Sequence, residues 1–319
     1  MLDCSYPPKN GFRYIYGFLK FLKYQRQSDA IIVGFFGHLI VPVARLFSKK
    51  PIIFDSFVSV YQTMVMDRQV FKPEGLLSWL TKFLDQKSSQ IADHVFCDTE
   101  QNIRYYCDQG KGDPKKFSRL WVGTDDSVFY PREPQMSGKK FLVHFHGELQ
   151  PLHGVDTIIA AAQLLPDVQF RIVGKNPQLS RLAAQAKEQK IFNIEFIPPV
   201  PYERLPDLLN EADVCLGIFG TTIKARSVIP HKVFEAMAMA KPLITADTQG
   251  VRELLEHRVS CLLIPPGNAQ ALADAIMILK ADSSLRYTLG HNAYQIFKEQ
   301  CRPAVLGKHI IHVMETFKS

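Results

Sequence analysis

Several features that define other classes of protein are missing from this sequence of 319 residues. No segment has enough uninterrupted apolar residues to span a bilayer, and the first residues do not show the three-part pattern of a secretory signal peptide. The six cysteines are scattered, without CxxC or zinc-finger spacing. This spacing argues against a disulfide framework or a cysteine metal site, and it indicates the reduced thiols of a cytoplasmic protein.

What the sequence does contain is the composition of a globular protein with a full core, since 46% of the residues are hydrophobic and 22% are charged. The length exceeds that of a usual single domain. We therefore predict two domains, residues 1–135 and 136–300, followed by a C-terminal helix within residues 301–319 that packs back toward the first domain.

Short apolar runs alternate with helical patterns along most of the chain, which predicts an α/β fold with parallel sheets. Strand-like runs in the first half are DAIIVGFF, PIIFDSFV, HVFCDT and RLWVGTD. A stretch rich in Pro, Gly, Ser and charge, Pro131 to Lys140, predicts a linker. Six further runs follow it, namely FLVHFHG, FRIVG, IEFIPPV, VCLGIFG, PLITAD and CLLIPPG. Helical patterns separate them, the last at Val251 to His257, as in a doubly wound sheet.

The first half is short for such a domain. Its first convincing strand begins only at Asp29, after the segment SYPPKNGFRY. We therefore expect two doubly wound, Rossmann-like domains, the first of them lacking its opening strands.

A polar loop followed by a short helix, Gly220 to Ala240, carries the strongest chemical signal. Hydroxyl and cationic side chains gather before and at the start of the helix: Thr221, Thr222, Lys224, Arg226 and Lys232. A helix N-terminus favours anions, and three cations around it suit a diphosphate. Glu235 lies three residues after Lys232 and shares its face, where a carboxylate can accept hydrogen bonds from a ribose diol. The alternative is an ordinary helix on a parallel strand with a solvated Lys–Glu pair.

The net charge of +7 favours anionic partners. Phe12 to Arg26 interleaves aromatic and aliphatic residues with four cations, as in a helix lying on an anionic membrane. An amphipathic helix packed on its own domain explains the same pattern. Nucleic-acid binding is disfavoured because the basic residues form no extended run and no reader motif is present.

Taken together, these segments resemble the retaining GT-B glycosyltransferases of glycosyltransferase family 4, also called group 1. FHGELQPLHGVDTIIAAAQLL is similar to that family's first strand, phosphate turn and helix. KVFEAMAMAKPLITAD matches its "EAMA-G-P-VI" block, and RLWVGTDDSVFYP resembles its signature at the domain junction. The likeness is clearest over Phe141 to Gly290.

The resemblance implies roles for individual residues. Glu235 occupies the second position of the family's acidic pair and would hold the ribose hydroxyls, whereas Ser227 stands where the first acid is usual. Glu148 and His153 stand where the family has Arg and Lys, so Lys224, Arg226 and Lys232 must meet the phosphate charge. We also place Gly147, Gly174 and Val200 on the donor side.

The resemblance also directs attention to the first half, where members of this family often place a histidine facing the reacting sugar. The match is His38, which a structural role explains equally well. Asp55 and Ser56 would line the acceptor side. Asp67 and Arg68 form a similar candidate or a structural ion pair.

Two histidines in the second half, His144 and His146, alternate along one strand. This spacing indicates packing. His146 adjoins Gly147 and is the better candidate for ligand contact.

The function that these patterns predict is transfer of a sugar from a nucleoside diphosphate donor to a carbohydrate or lipid-linked acceptor. The resemblance implies retention of the anomeric configuration. Lys232 would stabilise the leaving diphosphate in place of a metal ion, so no cofactor is expected. The rival is a nucleotide-sugar-binding protein without turnover. A nicotinamide-dependent oxidoreductase is disfavoured because no GxGxxG opens either half. We expect a cytoplasmic protein with a possible peripheral contact to the inner membrane face.

Overall fold

The computed structural model describes residues 13–34, 36–110, 112–133, 140–175 and 177–317. Predictions that concern residues 1–12, which include Cys4 and Phe12, and residues 134–139 of the linker lie outside the described residues. The chain divides into two compact units. Unit 1 comprises Met1–Tyr61, Phe71–Leu120 and Lys308–Ser319; unit 2 comprises Gln62–Val70 and Trp121–Gly307.

Unit 1 is a parallel four-stranded sheet with helices in its connections. The strands, in sheet order, are β1 (Ile31–Val33), β2 (Ile52–Asp55), β3 (His94–Cys97) and β4 (Phe117–Arg119). The helices are α1 (Arg13–Tyr24), α2 (Ile40–Phe47), α3 (Leu76–Ile91) and α4 (Glu100–Gly110). The buried side chains of β2 and β3 pack between these helices and the end of the last helix, where Val313 lies. The order of the strands in this sheet, β1-β2-β3-β4, is the same as their order along the chain.

Unit 2 is a parallel six-stranded sheet. Its strands are β5 (Leu142–Gly147), β6 (Gln169–Gly174), β7 (Ile194–Ile197), β8 (Val214–Leu216), β9 (Leu243–Ala246) and β10 (Leu262–Ile264). The helices are α5 (Val155–Leu164), α6 (Gln178–Glu188), α7 (Leu205–Glu211), α8 (Ile223–Ser227), α9 (His231–Ala238), α10 (Ala269–Ala281), α11 (Ser283–Ile296) and α12 (Pro303–Glu315), of which α12 ends in unit 1.

The order of the strands in unit 2 is β10-β9-β8-β5-β6-β7, so β5 has β6 on one side and β8 on the other. The chain therefore reverses its direction of winding at β5. In doubly wound sheets a crevice opens at the carboxyl end of the sheet where this reversal occurs. Gly154 keeps the turn after β5 close to the end of β8. Its φ is +61°, and a Cβ there would lie 2.5 Å from the backbone of Phe219 and Gly220.

Three segments differ from the sequence prediction. The predicted helix at Val251 to His257 is a single 3₁₀ turn, Val251–Glu253. The predicted strand RLWVGTD leaves the sheet at Arg119, because β4 spans only Phe117–Arg119. Within the predicted polar loop, Ile223–Ser227 forms the short helix α8, whose N-cap Thr222 accepts a hydrogen bond from the N–H of Ala225.

Candidate functional site

The predicted donor residues of unit 2 gather at the carboxyl ends of β5 and β8, where the strand order reverses. β5 ends with His146 and Gly147, and helix α9 brings Lys232 and Glu235 to the same place. A Cβ on Gly147 would lie 3.2 Å from the Nζ atom of Lys232. The ammonium group therefore lies against the backbone at the strand end, where a larger residue would press on Lys232 and on the ring of His153.

Lys232 is a buried cation, with 6% of its surface exposed. Its Nζ lies 5.1 Å from the centre of the Phe145 ring, a cation–π contact. Burial lowers the pKa of Lys232 to about 8, although the charge of Glu235 opposes this effect. At neutral pH the ammonium therefore keeps its proton, in surroundings that favour the arrival of an anion.

Both oxygens of the Glu235 carboxylate accept hydrogen bonds from histidines. His146 Nε2 lies 2.6 Å from Oε2, and His231 Nδ1 lies 2.9 Å from Oε1. Burial raises the pKa of Glu235, but the hydrogen bonds from His146 and His231 together with their charges lower it by more, so the net shift is downward. The site therefore holds a fixed carboxylate that stays ionised, and each oxygen keeps a second lone pair for a ligand hydroxyl.

A second histidine of β5, His144, continues this chain of contacts inward. Its Nε2 lies 3.1 Å from Nδ1 of His146. Burial lowers the pKa of His144 well below its ordinary value, so the ring is neutral. One arrangement that fits these distances has His144 Nε2–H donating to His146 and His146 Nε2–H donating to Glu235; Nδ1 of His144 then has no partner within the described residues. His144 thus supports His146 from the core, in line with the packing role that its spacing indicated.

The three cations predicted to meet a diphosphate occupy different environments. Lys224 is buried, and its Nζ donates a hydrogen bond to Thr63 Oγ1 at 2.9 Å. Arg226 is exposed. Burial lowers the pKa of His153 well below its ordinary value, and the charges of Lys232, His146, Lys224 and Arg68 lower it further. Lys224 and Lys232 are therefore both close enough to influence the turn after β5.

A segment distant in sequence, Gln62–Val70, also belongs to unit 2, and its first six residues form a π-helix against α8. Thr222 Oγ1 donates a hydrogen bond to Oδ1 of Asp67 at 2.9 Å. Arg68 lies 3.3 Å from the carboxylate of Glu148. Asp67 and Arg68 therefore each contact a loop of the donor site, one after β8 and the other after β5.

The remaining donor-side predictions fall on neighbouring loops. Gly174 ends β6, and a Cβ there would lie 2.5 Å from the side chain of Leu149. Val200 lies in the loop after the edge strand β7, two strands away from β5. Both positions lie at the carboxyl edge of the sheet, on the side of β5 opposite to β8.

In unit 1, the ring of His38 lies in a buried polar cluster. Its Nε2 lies 3.1 Å from Asp85 Oδ1 and 3.4 Å from the hydroxyl of Tyr106, and only 2% of the residue is exposed. Ser56 is 1% exposed, and its hydroxyl donates to Tyr106 at 2.5 Å. The carboxylate of Asp85 can only accept a hydrogen bond, so Nε2 of His38 carries the proton that it donates to Asp85. In the neutral ring Nδ1 is then an acceptor, and it has no partner among the described residues.

Asp55, at the carboxyl end of β2, differs from Ser56 in being partly exposed. Burial raises the pKa of Asp55 to about 6. A carboxyl group that exchanges its proton near neutrality has the properties of a general base. Of the two predicted acceptor-side residues, Asp55 is the more exposed, and the hydroxyl of Ser56 is already engaged with Tyr106.

One residue of the site, His231, and one contact, between Asp67 and Thr222, were absent from the sequence prediction. His231 contacts Glu235 through an i, i+4 spacing, so helical periodicity offered a signal for it. The contact between Asp67 and Thr222 joins residues 155 positions apart, and local periodicity contains no signal of it. Within the described ranges, no group of His, Cys, Asp and Glu side chains is arranged to hold a metal ion. None of the helices in those ranges combines the length and the apolar character needed to span a bilayer.

Comparisons with known proteins give matches in both sequence and structure. The family model for glycosyl transferases, group 1, matches residues 128–296. A D-inositol 3-phosphate glycosyltransferase of Mycobacteroides abscessus is 26% identical over 207 residues, which are 60% of this chain and 45% of the relative. The chain thus spans about half the length of the curated relatives it matches.

Two solved structures resemble the whole chain. Sucrose-phosphate synthase from Thermosynechococcus elongatus has a TM-score of 0.78 and 19% identity, over 98% of this chain and 80% of that one. HepE from Anabaena, in complex with UDP-glucose, has a TM-score of 0.75 and 19% identity, over 97% and 84% of the two chains. These likenesses concern the fold, and they confirm the predicted α/β class with two Rossmann-like units of GT-B type.

Proposed function

The chain belongs to the group 1 glycosyl transferases, and on that premise we propose that it transfers a sugar from a nucleoside diphosphate donor to an acceptor hydroxyl. We propose further that the transfer retains the anomeric configuration, as in glycosyltransferase family 4. The structure of HepE holds UDP-glucose, which supports a nucleotide sugar as the donor. The sugar acceptor is a carbohydrate or a lipid-linked saccharide in this proposal.

The observation that carries the proposal is the pair Lys232 and Glu235 on the first turns of α9, both buried at the reversal of the strand order. A buried ammonium is stabilised by an anion, and an ionised carboxylate suits a pair of hydroxyls. We place the diphosphate against Lys232, Lys224 and the N-terminus of α9, and the ribose on Glu235. Gly147, Gly174, Val200 and Arg226 complete the donor side.

In the reaction, the largest task is to stabilise the diphosphate as it leaves the anomeric carbon. Lys232 and Lys224 supply positive charge where negative charge develops, in a site that excludes most water. The acceptor hydroxyl needs positioning and a proton acceptor, for which a leaving phosphate oxygen suffices. In unit 1 we propose Asp55 as the acceptor-side carboxylate. The ring of His38, which the resemblance places at the reacting sugar, is engaged with Asp85 and Tyr106, and for it we propose a structural role. We propose that no metal ion takes part, so EDTA is expected to leave turnover unchanged.

Calorimetric titration of UDP, GDP and ADP into the wild type and Glu235→Ala tests the donor site. We expect one nucleotide to bind and Glu235→Ala to weaken it by about 10-fold, as for a lost pair of hydrogen bonds to a charged group. Glu188→Ala, an exposed change on α6, is the matched control and is expected to bind like the wild type. Equal affinity in the wild type and Glu235→Ala would remove Glu235 from the site.

A second candidate function is nucleotide-sugar binding without turnover. It is favoured by Ser227, which stands at the first acidic position of the family motif and directs its hydroxyl to the carbonyl of Ile223. Release of nucleoside diphosphate from the bound donor in the presence of acceptor sugars separates the two functions. Tight binding with no release in any acceptor mixture would favour the binding protein.

We also propose that unit 1 contacts an anionic membrane surface. In α1, Phe18 packs against Phe47 of α2, while Leu19 is 58% exposed. Beside α1, the α2 region exposes an apolar stripe, and Lys20, Lys23, Arg26 and Lys49 supply positive charge nearby. The stripe consists of Leu39, Ile40, Val43, Leu46 and Phe47. The five cysteines of the described part are free thiols, in keeping with a cytoplasmic location.

Sedimentation with vesicles tests the membrane contact. We expect binding to phosphatidylcholine vesicles that contain phosphatidylglycerol, little binding to phosphatidylcholine alone, and loss of binding in Leu46→Glu. Phe192→Glu, a change at an equally exposed apolar residue of unit 2, serves as the control. Equal sedimentation of Leu46→Glu and the wild type would contradict the proposal, and concentration-dependent dimerisation that Leu46→Glu abolishes would assign the stripe to a second copy of the chain.

A further inference from the structure

Asp67 is a buried carboxylate at the donor site with one oxygen left unsatisfied. Only 1% of the residue is exposed. Oδ1 accepts a hydrogen bond from Thr222, whereas Oδ2 has no hydrogen-bond partner within the described part of the chain. Buried polar atoms in native proteins are nearly always paired, so an unpaired one calls for an explanation such as a ligand that is absent from the structure.

The residues around Asp67, Thr222 and Lys224, indicate which kind of ligand its free oxygen would bind. Thr222 belongs to the loop after β8, and Lys224, two residues further on, acts electrostatically on the Asp67 carboxylate. If Lys224 faces the diphosphate, the sugar joined to the terminal phosphate lies within a few ångströms of Lys224. A carboxylate beside Lys224 is therefore placed to meet the hydroxyls of that sugar.

The loop after β8 lacks an acidic residue of its own. From Gly217 to Phe234 the sequence contains no Asp or Glu, and the position of the family's first acid holds Ser227. Sugar hydroxyls are recognised well by carboxylates, because each oxygen accepts two hydrogen bonds. The π-helix Gln62–Asp67 packs against α8, which ends at Ser227, and so brings an acid to this loop from elsewhere in the chain.

We propose that Asp67 binds the hydroxyls of the transferred sugar and determines which sugar the site accepts. This inference rests on the proposed function, since it requires a nucleoside diphosphate sugar at the loop after β8. Burial raises the pKa of Asp67, and the Thr222 hydroxyl, the charges of Lys224 and Arg68, and the backbone N–H of Leu152 only partly offset this rise. Hydrogen bonds from sugar hydroxyls to the carboxylate would replace the solvation that burial removes.

Binding measurements with and without the sugar test this role. UDP, GDP and ADP are titrated first, and the nucleotide that binds is then compared with its glucose, galactose and mannose conjugates. For Asp67→Asn and Asp67→Ala we expect affinity for the free nucleotide within about 3-fold of the wild type. Affinity for the preferred conjugate is expected to fall by about 10- to 100-fold, the effect of losing hydrogen bonds to a charged group.

Discrimination between sugars separates recognition from a purely structural role. We expect the wild type to prefer one conjugate and Asp67→Ala to bind the epimers with nearly equal affinity. Asp274→Asn, an exposed change on α10, is the matched control and is expected to keep the preference. Thr222→Val removes the hydroxyl that orients Asp67, and a partial loss of the preference is expected.

The outcomes distinguish this inference from the function on which it rests. If the wild type binds a nucleotide and the Asp67 variants keep both the affinity and the preference for its sugar conjugates, the inference is wrong and the proposed function stands. If the wild type binds none of the three nucleotides, the proposed function fails and the inference fails with it. Asp67→Asn keeps the size of the side chain, so its result decides the matter if Asp67→Ala does not fold.

Discussion

The two parallel sheets of this protein differ in the order of their strands. In unit 1 the order β1-β2-β3-β4 follows the chain, whereas in unit 2 the order reverses at β5. Ligands of open α/β sheets bind in the crevice that a reversal creates at the carboxyl ends of the strands. Over the described residues, unit 2 contains such a point and unit 1 does not. The topology therefore supports the proposal that the nucleotide binds to unit 2.

One buried ionisable group from each unit, Asp85 in unit 1 and Lys232 in unit 2, illustrates a second contrast. In unit 1 the carboxylate of Asp85 accepts hydrogen bonds from Ser59 at 2.6 Å and from the N–H groups of Val60 and Tyr61, and it also faces His38. In unit 2, Lys232 has no hydrogen-bond acceptor within the described residues. A fully hydrogen-bonded network rigidifies a fold, whereas a buried charge without a partner is costly, and an anionic ligand would lower that cost. The predictions below test that distinction.

The largest effect is expected at Lys232. Lys232→Met should lower turnover about 100- to 1000-fold, with a smaller effect on donor binding, because the ammonium acts most on the charge that develops in the transition state. The same change should raise the free energy of unfolding at pH 7 by roughly 1 to 3 kcal/mol, because a buried ammonium whose pKa has fallen to about 8 destabilises the folded protein. Steady-state kinetics and urea unfolding measure the two effects.

Lys241→Met is the matched control, since Lys241 is a partly buried lysine of the same unit with a different environment. Its Nζ donates hydrogen bonds to the carbonyls of Asn210 and Ala212. Removing these donors should lower stability and leave nucleotide affinity unchanged, the opposite pattern to Lys232→Met. A rise in the Michaelis constant alone in Lys232→Met would make Lys232 a binding residue without a role in the transition state.

A pH dependence follows from the same lysine. Nucleoside diphosphate affinity should be constant up to about pH 8 and then fall by up to about 10-fold per pH unit, because the ammonium of the free protein loses its proton there. The stability of the ligand-free protein should change in the other direction. Between pH 8 and 10 the unfolded chain holds the Lys232 proton and the folded one does not, so the contribution of Lys232 to stability rises with pH.

Calorimetry and urea unfolding across this range check both trends, with Lys232→Met as the reference that should lack them. A flat affinity profile in the wild type would show that another cation binds the diphosphate.

The sequence predicted the parts of the fold that depend on local periodicity. The six strands of unit 2 lie within or next to the predicted runs. The predicted helix at Val251 to His257 was wrong. Its apolar residues, Val251, Leu254 and Leu255, are buried with helical spacing, but they pack on the core as a single turn and an irregular loop.

In the candidate site, too, the contacts between residues close in sequence could be predicted, and those between distant segments could not. Lys232 and Glu235 share a helix face, so their spacing placed them together, and the structure brings them to the end of β5. The assignment of Gln62–Val70 to unit 2 has no local signal, because it depends on side chains that meet across more than a hundred residues. Likewise, the cluster around His38 depends on Asp85 and Tyr106, from two other helices.

An intermediate effect is expected at His38, which tests whether the unit 1 cluster is structural. His38→Ala removes a ring that packs edge-on against Phe54 and faces Asp85, so we expect a loss of about 3 kcal/mol in the free energy of unfolding. Nucleotide affinity in unit 2 should not change. Urea unfolding and calorimetry measure the two quantities.

His38→Gln keeps a polar group beside Asp85, and a smaller loss of stability is expected for it. If turnover falls more than 100-fold while the free energy of unfolding stays unchanged, His38 acts on the reacting sugar, and the contrast between the two units breaks down.

The smallest effect is expected at Asp55, where unit 1 also holds a destabilised charge. Burial raises the pKa of Asp55 to about 6, so between about pH 4 and 6 the folded protein binds a proton that the unfolded chain releases. The contribution of Asp55 to stability therefore falls as pH rises through this window. Because the carboxyl group is partly exposed, we expect Asp55→Asn to be more stable than the wild type by only about 1 to 2 kcal/mol at pH 7. At pH 4 the difference should vanish.

Urea unfolding from pH 4 to 7 measures this difference in stability, with the exposed Asp108→Asn as the control. Lower stability of Asp55→Asn at pH 7 would mean that the ionised carboxylate has a favourable partner within the protein. Asp55 would then be a structural residue, and its proposed role on the acceptor side would lose its support.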